Sequence, residues 1–539
     1  MSNQSKHKNS PADGFAGLKQ NFTKDALSGF LVFLLALPLS LGIAKASDFP
    51  PIFGIVTAII GGVVVSFFAG SRLTIKGPAA GLIVIVSGAV TAFGGCEQGW
   101  HLALGAIVVA GLIQVLFGVF KLGKLADFFP SAAIHGMLAA IGIIIISKQI
   151  HTLLGIDPKL LKGKEPLELL AMIPESIMHE NAHITEIGIS CLLILILFGF
   201  VKNQKIKKIP APLVVLAVSI PFGIALHIKT EGAVANFALV KIGSIFDSFK
   251  GGLINADFSG VSSNVGAFIQ YVILFALIGS LESLLTAKAI DHMDPFKRKS
   301  DFNKDLVAVG IGNSLSGLIG GLPMISEVAR SSANVTNGAV TRWANFFHGL
   351  FLLIAVLVAV PIIEMIPNAA LAAMLIYVGF RLAHPHEFIE MWNIGKQQFI
   401  VFTSTVIVTL ATDLLIGVGA GIVLEMIFNM ANGVSIQNLF KSNTTVEQQN
   451  EMEYRMLIEG GLTFSNILGF KKAFANLPEG KRITMDVSKA KMVDHTSIVT
   501  LNGMIDDYKR SGGEVLVEGF HNHRQLGHAP TSARVLKSN

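Results

Sequence analysis

Long apolar runs recur through residues 26–433, and they constrain the fold of this 539-residue chain more than any other feature. Examples are ALSGFLVFLLALPLSLGIA (26–44), IFGIVTAIIGGVVVSFFAG (52–70) and LALGAIVVAGLIQVLFGVF (102–120). A helix of about 20 such residues spans a lipid bilayer. Only 14% of the residues are charged, whereas soluble domains carry nearer a quarter. The sequence therefore predicts a polytopic α-helical membrane protein rather than a single water-soluble core.

Fourteen candidate spans can be placed in this region, and two of them are too short to cross a membrane alone. The short spans, 79–93 and 327–337, are the third of the first seven and the third of the second seven. An odd number of spans in each half predicts two halves of opposite orientation, a 7+7 inverted repeat. The longer spans are predicted at 26–44, 52–70, 101–120, 130–150, 185–201, 211–227, 265–290, 305–320, 344–361, 368–382, 397–413 and 415–433.

Basic residues concentrate in alternate loops, which predicts the orientation in the membrane. KLGK (121–124), KNQKIKK (202–208) and DPFKRKSDFNK (294–304) all fall on the side of the N-terminal tail. An even number of spans returns the C-terminus to that side. We therefore expect a multi-pass protein of the cell (inner) membrane with both termini in the cytoplasm. The predicted parts are a tail (1–25), a transmembrane domain (26–433), a linker (434–451) and a C-terminal domain (452–539).

Each short span follows a stretch that contains glycine and proline, GSRLTIKGP in the first half and GGLPMIS in the second. Interrupted apolar segments at matching positions of two halves indicate the binding site of a transporter. Half-helices that face each other present unpaired N–H groups and positive dipole ends, which favour an anion. The sequence predicts an inorganic anion between half-helices 79–93 and 327–337, held mainly by the backbone amides of Ala79, Ala80, Gly81, Ser326, Glu327 and Val328.

The C-terminal region has a different pattern, because short strand-like and helical segments alternate there. YRMLIEG (454–460), RITMDVS (482–488) and GEVLVEG (513–519) predict strands, and about 464–477 and 496–511 predict helices. This is the pattern of a small α/β domain. The chain shows no nucleophile–base set, and the histidines of HNHRQLGH (521–528) lack companion ligands at zinc-like spacing. We expect no enzyme activity, metal site, cofactor or nucleic-acid partner.

Several stretches together resemble the SulP family of anion transporters, the bacterial relatives of the animal SLC26 exchangers. They are DALSGFLVFLLALPLSLGIA in the first span, GSRLTIKGPAAG entering the third, ALIGSLESLLTAKA in the eighth and AVGIGNSLSGLIGGLP before the second short span. The C-terminal domain resembles a STAS domain, which is cytoplasmic in this arrangement. The resemblance implies core and gate domains, an elevator-like movement, a homodimer in membrane lipid, and substrates such as sulfate or bicarbonate.

Two residues are candidates for coupling transport to a cation. Glu282 lies within a span, where an acid is costly and indicates function, and Thr286 is on the same helical face. The resemblance implies an acid here that serves a sodium site or binds a proton. Lys76 stands where sodium-using members have a small hydroxylated residue. We hypothesise that its ammonium replaces a bound cation and neutralises Glu282, which would make transport sodium-independent. The alternative is a lysine that extends to the membrane interface.

Further candidates lie at two other helix starts. Ser326 is predicted as the N-cap of the second half-helix, with Glu327 in its first turn near Arg330, an arginine that the resemblance places by the anion pocket. The alternative is a Glu327–Arg330 pair that only shapes the helix.

Thr496 and Ser497, in the C-terminal domain, match a helix start that is phosphorylated in related anti-sigma-factor antagonists. The alternative is that this helix start is simply capped by Asp494 or Thr496.

The predicted function is secondary active transport of an inorganic anion, proton-linked or by exchange. An anion channel that uses the same pocket is a second possibility. A third is a sensor that binds an anion and signals through the STAS domain.

Overall fold

The computed structural model describes residues 11–95, 99–124, 128–161, 164–203, 209–230, 235–245 and 252–537. A helical segment lies at each of the fourteen predicted spans. The helices are α1 (Gly14–Ala46), α2 (Pro51–Ile59), α3 (Ile83–Ala92), α4 (Gly99–Val119), α5 (Ser131–Leu153), α6 (Pro166–Ala171), α7 (Ile173–Met178), α8 (Ala182–Phe200), α9 (Ala211–Ala225), α10 (Gly260–Ser263), α11 (Val265–Met293), α12 (Phe302–Ile319), α13 (Val328–Thr336), α14 (Trp343–Val358), α15 (Val360–Ile363), α16 (Asn368–Leu382), α17 (Pro385–Ile394), α18 (Lys396–Ala411) and α19 (Leu414–Ala431).

Six of these helices are long and apolar enough to cross a membrane, judged by length and composition over the described residues: α1, α4, α5, α8, α11 and α19. Shorter apolar helical segments occupy Pro51–Phe67, Ala80–Ala92, Ala211–Ala225 and Trp343–Val358. The segment Pro51–Phe67 is α2 continued by a π-helical turn (Ile60–Val64) and a 3₁₀ turn (Val65–Phe67). The described helices therefore have the composition of a multi-pass membrane protein.

The first helix begins at Gly14, twelve residues before the predicted span and inside the predicted tail. Asp13 is its N-cap and accepts a hydrogen bond from the Gly14 amide. The added turns are held by aromatic contacts with α14, since Phe15 packs on Trp343 and Phe22 packs edge-on against Phe347. Such contacts stabilise a segment that is too polar to be recognised as a span.

Contacts divide the chain into two compact units. The first unit comprises Met1–Gly123 and Gly142–Arg381, and the second comprises Lys124–Ile141 and Leu382–Asn539. The residues predicted to bind and couple the anion all belong to the first unit. The second unit contains the C-terminal α/β region together with α17, α18 and α19.

Two strands of three residues, β1 (Lys76–Pro78) and β2 (Met324–Ser326), precede the two short helices of the first unit. They pair antiparallel, with Lys76 opposite Ser326, Gly77 opposite Ile325 and Pro78 opposite Met324. An extended segment at membrane depth requires a hydrogen-bonding partner, because lipid supplies none. Each strand provides that partner for the other, and this pairing places both interrupted helices at one point.

The C-terminal region forms one mixed sheet flanked by helices. Its strands are β3 (Asn443–Gln448), β4 (Glu453–Leu462), β5 (Arg482–Asp486), β6 (Ala490–Val493), β7 (Glu514–Glu518), β8 (His523–Gln525) and β9 (Arg534–Leu536), and its helices are α20 (Ile436–Phe440), α21 (Ile467–Ala475) and α22 (His495–Arg510). The strand order is β7-β5-β4-β6-β9-β8, with β3 also paired to β4. Met456, Phe470, Met485 and Leu501 are among the buried side chains of its core.

The predicted linker, 434–451, is not a simple connection, because it contains α20 and β3. All six residues of β3 pair antiparallel with β4. The sequence NTTVEQ is almost entirely exposed and polar, so it lacks the alternation that predicts a half-buried strand. The folded α/β region therefore begins before residue 452.

Candidate anion-binding site

The first short helix begins directly after β1. Ala79 is extended, with φ −95° and ψ 128°, and a 3₁₀ turn from Ala80 to Leu82 leads into α3. No side chain caps this turn. The first N–H groups of a helix have no partner within the helix itself, so an uncapped start at this depth is open to a ligand. The binding of an anion by the amides of Ala79, Ala80 and Gly81 stays a prediction, and no capping side chain competes with it.

The second short helix begins directly after β2, and here the predicted N-cap is wrong. Glu327, not Ser326, caps α13, since its Oε2 accepts a hydrogen bond of 2.7 Å from the Arg330 amide. Ser326 belongs to β2, where strand pairing fixes its backbone. The carboxylate at the start of α13 already interacts favourably with the positive end of the helix dipole.

The backbone amides at this second start are largely occupied. The Ser326 amide donates to Ser283 Oγ at 3.1 Å, and the Glu327 amide donates to the Ile75 carbonyl at 3.0 Å. In this conformation these two amides, which are predicted anion ligands, therefore donate their hydrogen bonds to other groups of the protein. Val328, the first residue of α13, has a side chain that is about half exposed.

Arg330 is the group at this site whose hydrogen-bonding capacity is least satisfied. Its side chain has no exposed surface, and Nε, Nη1 and Nη2 have no hydrogen-bond partner among the described residues. Glu327 Oε2 lies 3.9 Å from Nε, which is beyond hydrogen-bonding distance. A Cβ placed on Gly77 would lie 2.6 Å from Nη1, so the guanidinium lies against β1. A buried guanidinium with five N–H donors that make no hydrogen bond could bind an anion.

Glu282, in α11, lies at the start of the first short helix. A Cβ on Gly81 would be 2.2 Å from its Oε1 and 2.5 Å from its Oε2, so the carboxylate packs against the glycine Cα. Oε1 is buried and has no hydrogen-bond partner in the described part of the chain. Thr286 follows one turn later and is also buried. Glycine at position 81 is what permits the carboxylate to approach the helix start so closely.

Lys76 does not pair with Glu282, so this part of the coupling hypothesis is wrong. Its ammonium contacts Asp305 at 2.9 Å to Oδ1 and 2.8 Å to Oδ2, and it donates to Thr74 Oγ1 at 2.9 Å and to Ser326 Oγ. Neither partner of the ion pair is more than 1% exposed. The lysine therefore does not extend to the membrane interface either, because a buried aspartate balances its charge where it stands.

Sequence reasoning did not identify Asp305 or Ser283 as parts of this site. Asp305 also accepts hydrogen bonds from the Ser71 amide and from Ser326 Oγ. Ser283 is both donor and acceptor toward Ser326, at 3.1 Å in each case. Asp305 follows the charged stretch 294–304 and so resembled the end of a loop. An acid in the first turn of a span was the available signal.

The two hydroxyls proposed as regulatory lie in the second unit, at the start of α22. Asp494 is the N-cap, as one alternative predicted, and accepts hydrogen bonds from the Ser497 amide at 2.7 Å and the Phe464 amide at 2.6 Å. Burial raises the pKa of Asp494 to about 6. Thr496 Oγ1 accepts from the Ser131 amide at 3.0 Å, and Thr496 and Ser497 are both buried. Capping thus falls to Asp494 rather than Thr496.

Comparison with known proteins identifies relatives over almost the whole chain. Residues 22–405 match the model of the sulfate permease family. YvdB of Bacillus subtilis (strain 168), a provisionally named sulfate transporter, is 28% identical over 509 residues, covering 93% of this chain and 92% of its own. The transmembrane domain of a cyanobacterial bicarbonate transporter, BicA, superposes with a TM-score of 0.63 at 22% identity, covering 75% of this chain and 97% of that domain.

A second solved structure, SLC26A9, superposes with a TM-score of 0.65 at 14% identity and covers 94% of this chain and 85% of its own. At this identity the likeness concerns the fold alone: a polytopic helical membrane protein with a C-terminal mixed α/β domain, which is consistent with STAS. Together with the family match, these findings show that the chain belongs to the sulfate permease family, a family of multi-pass membrane anion transporters rather than enzymes.

Proposed function

We propose that this protein is a secondary active transporter of an inorganic anion of the sulfate or bicarbonate class, and that the anion moves together with a proton. The anion binds between the starts of the two short helices, against Arg330. The observation that carries the proposal is the Arg330 guanidinium, which is fully buried without a hydrogen-bond partner beside the paired strands. Leaving such a group unpaired is costly, and an anion would satisfy it.

The proposed anion ligands are the hydrogen-bond donors at the two helix starts that are left after the protein's own hydrogen bonds are accounted for. The uncapped turn at Ala79–Gly81 supplies amides on one side, and Arg330 supplies charged donors on the other. Val328 is the remaining candidate amide at the second helix start. Backbone amides and a guanidinium suit any small oxyanion, which is why sulfate and bicarbonate both fit.

Charge balance supports coupling to a proton. Lys76 is balanced by Asp305, and Arg330 lies close to the carboxylate of Glu327. Glu282 has no cationic partner within the described residues, and it occupies the helix start where the anion is proposed to bind. An ionised Glu282 would repel the anion in surroundings of low dielectric constant. A proton on Glu282 removes that repulsion, so anion and proton bind together.

We also propose that transport does not depend on sodium, but not because Lys76 neutralises Glu282. The Lys76 ammonium lies among the oxygens of Asp305, Thr74 and Ser326, a set of ligands that suits a hard cation. The lysine thus provides a covalently attached positive charge where another chain could bind an ion. We expect the addition of sodium to leave uptake unchanged.

The decisive experiment is flux into proteoliposomes that contain the full chain, with labelled sulfate and bicarbonate, with and without an inward proton gradient and with and without sodium. Arg330→Gln removes the charged donors and is expected to weaken anion binding about 10- to 100-fold. Arg381→Gln, which alters an exposed arginine in the last turn of α16, is the matched control. Undiminished flux by Arg330→Gln would refute the site.

Glu282→Gln tests the coupling separately. We expect anion exchange to persist while uptake driven by a proton gradient is lost, because the amide mimics the protonated acid and does not release a proton. Gly81→Ala places a methyl group where the carboxylate lies and should lower gradient-driven uptake as well. Gly266→Ala is the control on the same helix as Glu282, since a Cβ there would meet nothing within 4 Å. Gradient-driven uptake that survives Glu282→Gln would exclude this residue as the proton carrier.

The same experiment separates the other function classes. Conduction far above carrier turnover in a planar bilayer would indicate a channel, and binding without flux would indicate a sensor.

The proposal also includes a 7+7 inverted repeat with core and gate domains, elevator-type movement, a homodimer and cytoplasmic termini. Thr496 and Ser497 remain the proposed regulatory positions, and their burial means that modification requires the start of α22 to open.

A further inference from the structure

A cavity of about 660 Å³ lies in the first unit, away from the proposed anion site. Its lining comes from the ends of helical segments and from the loops beside them: the 3₁₀ turn after α2, the end of α4, and the starts of α12 and α14. None of its lining residues belongs to α3, α11 or α13, which carry the proposed transport site. The volume is in the range of ordinary ligand pockets.

The charge of this cavity is strongly positive. Its cationic lining residues are Arg72, Lys121, Lys299, Lys304 and Arg342, against two acids, Asp13 and Asp301. Both acids are engaged by the protein: Asp13 accepts from Arg72 Nε at 3.1 Å and from Arg342 Nη2 at 3.2 Å, and Asp301 caps α12. The lining thus carries five cationic side chains against two acids, and the side chains of Lys121, Lys299 and Lys304 are exposed.

One border of the cavity is apolar and exposed. Phe67, Phe68 and Val119 line it, and their exposed fractions are 48%, 56% and 60%. The apolar surface continues along α4, where Leu112 and Leu116 are 54% and 50% exposed. Residues 112, 116 and 119 follow the i, i+4, i+7 spacing of one helical face. A basic cavity thus adjoins an apolar stripe that runs along a membrane-spanning helix.

We propose that this cavity binds the headgroup of an anionic phospholipid, whose acyl chain lies along the stripe of Leu112, Leu116 and Val119. A basic pocket between transmembrane helices at a membrane surface is the type of site that holds such headgroups. A soluble anion would account for the lysines but not for the adjoining exposed apolar surface. The lipid site is independent of the proposed transport mechanism.

The test uses tryptophan fluorescence, because Trp343 packs on Phe67 with ring centroids 5.5 Å apart. The full chain carrying Trp100→Phe and Trp392→Phe is placed in phosphatidylcholine bilayers, and phosphatidylglycerol brominated near the top of its acyl chain is added. Bromine within the stripe quenches Trp343. We expect phosphatidylglycerol to be preferred over equally brominated phosphatidylcholine. The combined variant Lys121→Gln/Lys304→Gln should reduce that preference about 25-fold, at about fivefold per lysine.

Lys159→Gln/Lys229→Gln, which removes two exposed lysines from loops that do not line the cavity, is the matched control and should leave the preference unchanged. Equal quenching by the two lipids, or an unchanged preference in Lys121→Gln/Lys304→Gln, would overturn the proposal. Displacement of the brominated lipid by millimolar glycerol phosphate would also overturn it, because the cavity would then be a site for soluble anions.

Discussion

Two oppositely charged side chains with almost no exposed surface, Lys76 and Asp305, determine much of the chemistry beside the paired strands. Separating two charges from water costs several kcal/mol per ion unless each is fully satisfied. The ammonium here contacts both carboxylate oxygens and two hydroxyls. The pair thus fixes β1 to α12, and the nearby guanidinium of Arg330 is the positive group that has no hydrogen-bond partner among the described residues.

Breaking this pair from one side should destabilise the protein strongly. Lys76→Met leaves Asp305 buried without its counter-charge, at a cost of about 3–5 kcal/mol. Lys76→Met/Asp305→Asn removes both charges and should regain most of the loss. Thermal unfolding of the purified full chain in detergent measures both variants. A double variant that is no more stable than the single one would contradict this account.

The residues that lie near Lys76 in the sequence do not reveal which acid pairs with it. The sequence indicates that a buried lysine needs an acid; Glu282 within span 265–290 is the predicted partner, whereas Asp305 at the start of span 305–320 is the observed one. Choosing between them requires the packing of α11 and α12 around β1, which depends on contacts more than 200 residues apart in the chain. Glu282 is identifiable because an acid within an apolar span is itself a signal, and Arg330 through the resemblance to the SulP family.

At the scale of elements, the helices of the membrane region were the most predictable part of the molecule. Every predicted span contains a helix, since length and apolarity determine such segments. The two interruptions were predicted from glycine and proline, but the pairing of β1 with β2 was not, because three residues carry no strand periodicity. The polar edge strand β3 was missed for a related reason: its stability comes from β4, not from its own pattern.

The start of α22 gives an element-scale prediction with a defined pH dependence. Burial raises the pKa of Asp494 from 3.8 to about 6 in the folded chain, so the folded state binds this proton more tightly than the unfolded state. The free energy of unfolding should therefore fall as pH rises from about 4 to about 6, by about 3 kcal/mol from this residue, and stay level above that.

Asp494→Asn does not titrate and keeps an oxygen that can cap the helix. We expect the variant to lose this part of the pH dependence, measured by thermal unfolding of the full chain between pH 4.5 and 7. Asp506→Asn, which changes an exposed carboxylate on the same helix, is the control and should follow the native chain. If stability falls with rising pH equally in Asp494→Asn and in the native chain, Asp494 is not the source of this pH dependence.

At the scale of the whole molecule, the basic loops predict which side of the membrane faces the cytoplasm. Lys121 and Lys299 line the basic cavity at the ends of α4 and before α12, whereas Lys159 and Lys229 are exposed in other loops. Positively charged loops remain in the cytoplasm, so the two pairs should be on opposite sides. The orientation of the entire chain follows from where any one of these positions is found.

Labelling of introduced cysteines tests that orientation in a chain that carries Cys96→Ala and Cys191→Ala. Lys159→Cys and Lys229→Cys should react with a membrane-impermeant maleimide on intact cells. Lys121→Cys and Lys299→Cys should react only after the cells are opened. The reverse pattern would invert the assignment and place both chain ends outside.

The antiparallel pairing of β1 with β2 has a mechanical consequence. Pulling α3 away from α13 would expose six residues of extended backbone in a medium that offers them no replacement partner. These two helices are therefore tethered, and a hinge that opens between them is energetically disfavoured. We therefore expect a solute that lodges at their junction to be released by relocation of that junction as an intact block, with its geometry preserved at either surface of the membrane.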